Sequence, residues 1–308
     1  MPRVLTIYYK HKPGGFCRRL RFKIEAFLEK GWEVHYVAVE SYPYTHPNLK
    51  PHILPTPMSN HDSFLFWAYF FSMAPGLLLW IGIKNKINLI TTGSPLYAFF
   101  CGPVKWILQV PMLTFIFIKP NFHTEWKSGL GFFKIFECLL ERLGLRWSNL
   151  SLANSWGSGT AWKNKYGKDG DKIKILPNHV DDPSFNKPNQ RQFLLDEFSL
   201  NSDSFLITHT GLLQKRKNLD CLIRALAEVD DEKAIVLLIG EGEEKESLSR
   251  LADEKGVSDR VIFTGWRNDA RELVQGSDLF VFPSFREGMA ESLLEATTCQ
   301  LPCLVSSI

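Results

Sequence analysis

Two glutamates eight positions apart, Glu287 and Glu295, stand on either side of a loop-to-helix junction in the stretch FPSFREGMAESLLEATTCQLP at 282–302. The run before them, DLFVF at 278–282, is apolar, β-branched and aromatic and is ended by Pro283, the pattern of a buried strand. From about 291 to 299 the residues are good helix formers, with apolar Leu293, Leu294 and Ala296 among them. A strand, a loop and a helix in that order open onto the crevice at the carboxyl edge of a parallel sheet, where such sheets bind ligands. The N-terminus of that helix offers unpaired N–H groups and a partial positive charge to a phosphate. Glu295, about one turn inside, is placed to accept both hydroxyls of a ribose, and Glu287 faces the group beyond the phosphates. The spacing fits a nucleotide joined to a sugar.

A second anion site is expected at 211–218, GLLQKRKN, which follows a predicted strand and opens a helix. Its backbone and its cations Lys215, Arg216 and Lys217 face the same crevice. Gly14 and Gly15 follow the first strand and precede a helix at Phe16, with Arg18 and Arg19 just behind. Two glycines let a backbone approach a bulky anion closely, although an ordinary turn fits the pattern as well. Two other motifs point away from chemistry. Asp169-Gly170-Asp171 has the D-x-D form of a divalent-metal site but lies in a polar turn, GKDGDK, before a strand. Gly240-Glu241-Gly242 lacks the third glycine of G-x-G-x-x-G, and its carboxylates repel a pyrophosphate, so a nicotinamide dinucleotide is not expected there.

These residues need a scaffold of alternating strands and helices. Strands are expected at 4–8, 33–39, 87–91, 112–118, 150–153 and 172–176, with helices near 16–30, 64–83, 95–109, 131–145 and 155–166 between them. A second series covers 205–210, 217–229, 234–239, 243–255, 260–263, 269–275, 279–282, the helix carrying Glu295, and 301–306. Such alternation implies an α/β protein with parallel, helix-covered sheets. The polar stretch 183–203 reads as a link between a first domain at 1–182 and a second at 204–308. No short-period repeat is present, which excludes a solenoid.

Composition agrees with this reading. A chain of 308 residues with 45% hydrophobic and 22% charged residues builds two packed domains, and it is not a disordered one. The net charge of +3 conceals an asymmetry: residues 1–182 carry 22 Lys and Arg against 12 Asp and Glu, whereas the remainder is acidic. No nucleic-acid motif accompanies the basic half, so an anionic membrane surface is the better-matched partner. Six cysteines without a C-x-x-C pair, and no cleavable leader, point to a reduced cytoplasmic setting, peripheral on the inner face of the membrane. Residues 63–83 form an uncharged run interrupted by Pro75-Gly76 and long enough to cross a bilayer. A membrane-peripheral or acceptor-lining helix pair, a core helix and a true span are three readings of it. A span is disfavoured because it would remove a layer of the first domain.

Taken in order, the motifs resemble those of the family-4 retaining glycosyltransferases, whose signature is E-x7-E. The likeness runs from Gly14-Gly15 through Pro177-Asn178-His179-Val180-Asp181, similar to the family's PNGVD, then 211–218, 240–242, 259–265 and the Glu287/Glu295 block. It implies the GT-B fold, two Rossmann-like domains with an interdomain cleft, and a second domain that is incomplete because family members continue beyond Ile308 with further βα units. It also implies transfer of a sugar from a UDP- or GDP-sugar donor to a saccharide or lipid-linked acceptor in cell-envelope polysaccharide synthesis, with no other cofactor and no metal.

The resemblance assigns roles residue by residue. Glu295 holds the ribose, Lys217 the diphosphate, and Glu287 the donor sugar. Gly288 and the backbone N–H groups of Met289 and Ala290 border the leaving group. Gly211, Gly242, Gly14 and Gly15 line the phosphates. The family's Arg after the glycine is Leu212 here, so Lys215 or Arg216 must substitute. The family's first-domain histidine is matched only by His123 in the following loop, with Lys119 and Asn121 as alternatives. His179 replaces the glycine of PNGVD, and Gln300 replaces a glycine that caps the Glu295 helix, a position that requires φ > 0. A non-catalytic nucleotide-sugar or membrane-surface binder and a GT-B sugar epimerase remain as other readings.

Overall fold

The computed structural model describes residues 1–11, 15–61, 63–117, 120, 131–178, 180 and 190–307. The chain divides into two compact units, Met1–Pro177 and Asn178–Ile308.

The first unit is a seven-stranded parallel sheet. Its strands are β1 (Arg3–Ile7), β2 (Glu33–Ala38), β3 (Leu49–Ile53), β4 (Leu89–Thr92), β5 (Met112–Ile116), β6 (Leu150–Ala153) and β7 (Ile173–Ile175), in spatial order β3-β2-β1-β4-β5-β6-β7. Among the described residues the connecting helices are α1 (Gly15–Glu29), α2 (Phe64–Asn85), α3 (Pro95–Leu108), α4 (Gly131–Trp147) and α5 (Trp156–Tyr166). One face of the sheet packs Leu5, Ile7, Val37 and Ile90 against Phe66, Phe70, Ala74, Leu78 and Ile81 of α2 and Ala98, Cys101 and Val104 of α3. On the other face Val4, Val34 and Tyr36 meet Leu20 and Ile24 of α1.

Strand β3 has no counterpart in the pattern of the sequence. It reads LKPHI, buries only Leu49, and contains Pro51, which a sheet tolerates at its edge because no ladder donor is needed on the outer side. The expected break at Pro75-Gly76 is absent. α2 is a single helix, capped at its start by Ser63 Oγ accepting from the Phe66 N–H (3.2 Å) and closed by Lys86 at φ 49°.

The second unit is a five-stranded parallel sheet of β8 (Phe205–Thr210), β9 (Ala234–Ile239), β10 (Val261–Gly265), β11 (Leu279–Phe282) and β12 (Cys303–Val305), ordered β10-β9-β8-β11-β12. Every residue of β9 is buried, as expected for an inner parallel strand covered on both faces. Helices α7 (Leu219–Ala227) and α8 (Lys245–Glu254) cover one face; α6 (Gln190–Glu197), α9 (Ala270–Gln275) and α10 (Glu291–Thr298) cover the other.

Helix α6 corrects the expected link at 183–203. Leu194 and Leu195 are buried in the core of the second unit, and the Arg191 guanidinium donates to Asp278 Oδ2 and to the Ser204 carbonyl. A stretch with only three apolar residues between its caps reads as polar, yet two adjacent leucines and one arginine fasten it to the sheet. The division of the chain falls at Pro177/Asn178, a few residues before the expected 182.

Candidate nucleotide-sugar site in the second unit

The carboxyl ends of β8 and β9 are locked together through main-chain atoms. Gly211 N–H donates to the Ile239 carbonyl (3.0 Å), Leu213 N–H to that of Glu241 (2.9 Å), and Glu244 N–H to that of Leu213 (3.0 Å). Gly211 and Gly240 have φ of +147° and +143°, which L-residues rarely adopt. A Cβ on Gly240 would lie 2.0 Å from the Gly211 carbonyl oxygen, and one on Gly242 would lie 2.2 Å from that of Leu213. Gly242 therefore serves to let one loop rest on the other.

On this frame the cations are placed by a short 3₁₀ turn, Lys215–Lys217, followed by Asn218 at φ 55°. The Asn218 amide donates to the Pro283 carbonyl (3.2 Å), and Phe285 N–H donates to the Arg216 carbonyl (2.9 Å), which ties this loop to the one after β11. The result brings three predicted residues together. Lys217 Nζ donates to Glu287 Oε1 at 2.7 Å, and the Arg216 guanidinium donates to the same oxygen. Of the two substitutes considered for the missing arginine, Arg216 is the one that turns inward to this cluster. Lys217 is 6% exposed, with its Nζ 4.5 Å from the centroid of the Phe282 ring. Burial holds its ammonium below the usual lysine range, and Glu287 opposes that shift.

Glu295 lies one turn inside α10, where its Oε1 accepts from Arg271 Nε and Nη2, both at 3.2 Å. Ala290 occupies the N-cap of α10 without a capping side chain, and the Met289 carbonyl accepts from the Asn178 amide (3.3 Å). Gly288 lies between them and Glu287 in the same loop. Both members of the glutamate pair are thus held by basic side chains, Glu287 by those of the turn after β8 and Glu295 by Arg271 of α9.

Four residues that sequence reasoning missed belong to this neighbourhood. His209 is fully buried, donates from Nδ1 to the Val281 carbonyl (3.0 Å), and is pushed down to about 3, first by burial and then by Lys217. Its Nε2 has no hydrogen-bond partner, nor do the buried Thr210 Oγ1 and Ser284 Oγ. A Cβ placed on Gly211 would be 3.6 Å from His209 Nε2 and 3.7 Å from Lys217 Nζ, so a lone pair and an ammonium border one point beside the loop. A signal was present: Thr208, His209 and Thr210 are three polar residues in succession on an inner parallel strand, where apolar residues are the rule. Arg271, the fourth, carries no such signal.

His123, Gly14, Lys119, Asn121 and His179 lie outside the described residues. Gly15 is the first residue of α1 in the first unit. Among the described residues no group of His, Cys, Asp and Glu is arranged to hold a metal ion. Asp169 sits in the 3₁₀ turn Gly167–Gly170 and pairs with Arg142 Nε (2.8 Å). Burial raises the thiols of Cys299, to about 11, and Cys303.

Residues 190–308 match the family model described as Glycosyl transferases group 1. Over 146 residues the chain is 32% identical to the UDP-Gal:alpha-D-GlcNAc-diphosphoundecaprenol alpha-1,3-galactosyltransferase of Escherichia coli, which covers 44% of this chain and 37% of that protein. The chain therefore spans well under half the length of that relative. In structure it resembles WaaG, a glycosyltransferase involved in lipopolysaccharide biosynthesis, with a TM-score of 0.80 at 18% identity over 99% of this chain and 81% of that one. It also resembles Anabaena Alr3699/HepE in complex with UDP, with a TM-score of 0.75 at 18% identity over 98% and 80%. The chain has the α/β fold of the GT-B glycosyltransferases, two parallel Rossmann-like units, and the second of these carries the stretch that matches the Glycosyl transferases group 1 model.

Proposed function

We propose that the chain is a family-4 retaining glycosyltransferase of the E-x7-E type, moving a hexose from a nucleoside-diphosphate sugar to a saccharide or lipid-linked acceptor in cell-envelope polysaccharide synthesis. The observation that carries the reading is the meeting of Lys217 and Arg216, on a loop fixed by glycine contacts, with Glu287 of the loop that leads into α10, the helix carrying Glu295.

A diphosphate entering there meets two cations already oriented by the protein, which supply the charge compensation that a divalent ion supplies elsewhere, so the reading is metal-independent. As phosphate oxygens take over Lys217 and Arg216, Glu287 gives them up and turns to the donor sugar. There it orients the hydroxyls and stabilises positive charge at the anomeric carbon. The N–H groups of Met289 and Ala290, at the uncapped start of α10, take the negative charge of the departing diphosphate. Glu295 accepts the ribose hydroxyls, and Arg271 positions it. His209 stays neutral and offers an acceptor beside Gly211. No covalent enzyme intermediate is needed.

On the first unit the resemblance alone assigns Gly14 and Gly15 to the phosphates and His123 to the acceptor side. An anionic membrane on the cytoplasmic side is the proposed setting, in keeping with a lipid-linked acceptor and the basic character of residues 1–182.

Titration calorimetry with UDP and GDP, followed by nucleotide release with and without a polyprenol-diphosphate-linked saccharide, tests the reading. Binding with acceptor-dependent release is the expected result. Binding without release fits a non-catalytic binder, release without acceptor fits an epimerase, and absence of binding to either nucleotide refutes the site.

A further inference from the structure

We infer that His35 and His52 form an acid-sensitive latch that fastens the edge strand β3 to β2 and lets it go as the pair takes up protons. β3 is the outermost strand of the first sheet, and Leu49 alone of its five residues is buried, while Lys50, Pro51 and Ile53 are exposed. Between Leu49 and the buried Leu54 that follows the strand, the side chain that ties β3 inward is His52. Its Nε2 lies 2.9 Å from His35 Nδ1, with the two rings nearly parallel at 12°.

His35 is 2% exposed, and its other nitrogen, Nε2, lies 2.8 Å from Glu33 Oε1. Glu33 also accepts from Arg3 Nε (3.0 Å), and Arg3 Nη1 donates to the carbonyl of Asn85, the last residue of α2 (3.0 Å). One polar chain thus runs from β3 through β2 and β1 to the end of a helix. A carboxylate only accepts, so His35 Nε2 carries a hydrogen, and in the neutral ring Nδ1 is a lone pair that accepts from His52 Nε2–H. One added proton is tolerated: on His35 Nδ1 it reverses the bond, once His52 shifts its own hydrogen to Nδ1. A second is not, because N–H would then face N–H across 2.9 Å. Closed, the pair takes up one proton at most; open, it takes up two.

The surroundings weight the balance further toward opening in acid. Charged groups face the pair from each element packed on it: Arg3 from β1, Glu33 from β2, Lys50 from β3 and Lys84 from α2. Burial holds both imidazoles below the usual histidine range; Glu33 opposes this at His35, Arg3 and Lys50 add to it there, and His35 and Lys84 add to it at His52. Below about 6.5 the open strand therefore binds more protons than the closed one, so closure is at full strength above that value and weakens as pH falls. Release uncovers the outer edge of β2, a row of unpaired donors and acceptors on which another strand can pair. The latch stands or falls independently of the nucleotide-sugar reading of the second unit.

Hydrogen exchange of the full chain, followed by mass spectrometry and normalised to intrinsic rates, tests it. Between about pH 7.5 and pH 5 the protection of residues 48–54 should fall at least about tenfold, while that of β6 falls less than about twofold. His35→Gln with His52→Gln keeps a donor for Glu33 and removes both titrations, and the protection of 48–54 should then be the same at either pH. Ring-proton NMR of the unaltered chain needs no variant: the rings of His35 and His52 should titrate below about 6.5, together with the loss of protection. Constant protection of 48–54 over this range, a fall that survives the double variant, an equal fall at β6, or His35 and His52 titrating at or above about 6.5 would each overturn the inference.

Discussion

A Glu287→Gln chain keeps the shape of the side chain and removes its charge, and the proposed exchange of partners then makes an unusual demand: tighter nucleotide binding together with lost transfer. The contact removed is a 2.7 Å ion pair whose lysine and glutamate side chains are 7% and 17% exposed, so solvent screens it little. A hydrogen bond to a charged group is worth about 1.5–3 kcal/mol, and Gln retains one acceptor, so the ligand-free fold should lose about 2 kcal/mol. That corresponds to a thermal midpoint lower by about 5 °C. UDP no longer competes with a carboxylate for Lys217 and Arg216, and relief of about 1.4 kcal/mol tightens its Kd about tenfold. Turnover, which needs the carboxylate at the anomeric carbon, should fall about 10²–10³-fold. Calorimetry gives the Kd, and initial rates of UDP release in the presence of acceptor give the turnover. A folded variant with unchanged or weaker UDP binding would refute the idea that phosphate displaces Glu287.

Other perturbations probe the scaffold of the site. In the unfolded chain an imidazole gains a proton below about 6.5, whereas His209 does so only near 3 in the fold, so between these values the unfolded state binds more protons and stability falls as pH drops. His209→Asn should flatten that slope, which is at most about 1.4 kcal/mol per pH unit, in urea unfolding followed from pH 6.5 to 3.5. Gln300 has φ 60° at the end of α10, where its N–H and that of Leu301 donate to the Thr297 and Ala296 carbonyls. Gln300→Gly should therefore stabilise the chain by about 1 kcal/mol, visible as a raised urea midpoint at constant m-value. Gly242→Ala places a methyl 2.2 Å from the Leu213 carbonyl oxygen and should cost about 2 kcal/mol or more, with UDP binding lost alongside.

Much of this was legible in the chain because local chemistry and global fold agree. β6 spans the expected residues, and the alternation of strand and helix survives from β8 to β12 with shifts of one or two residues. Glu287 and Glu295 occupy the loop and helix that their neighbours dictate. What could not be read was pairing across the sheet. Nothing in the sequence around Arg271 distinguishes it from a solvated helix residue, and its meeting with Glu295 depends on how α9 packs on α10. Lys215 and Arg216 are adjacent cations, and only the 3₁₀ geometry of the turn decides which faces Glu287. Strand β3 hides behind Pro51, and α6 behind its polar composition, because edge position and a few buried leucines leave no periodic mark. Pro75 is a strong breaker by propensity, yet four fully buried residues of α2 besides Ala74 outweigh one missing hydrogen bond.

The crossing of Gly211, Gly240 and Gly242 divides this region into positions that can drift and positions that cannot. Its geometry is written in amides and carbonyls, so Leu212, Gln214 and Glu241 decorate the loops without determining where they run. The side chain at 212 can therefore change, and Arg216 can reach Glu287 from a neighbouring position, while the platform stays in register. Altered ligand preference is open to such a chain through a handful of side chains, with the three glycines as the fixed terms of inheritance.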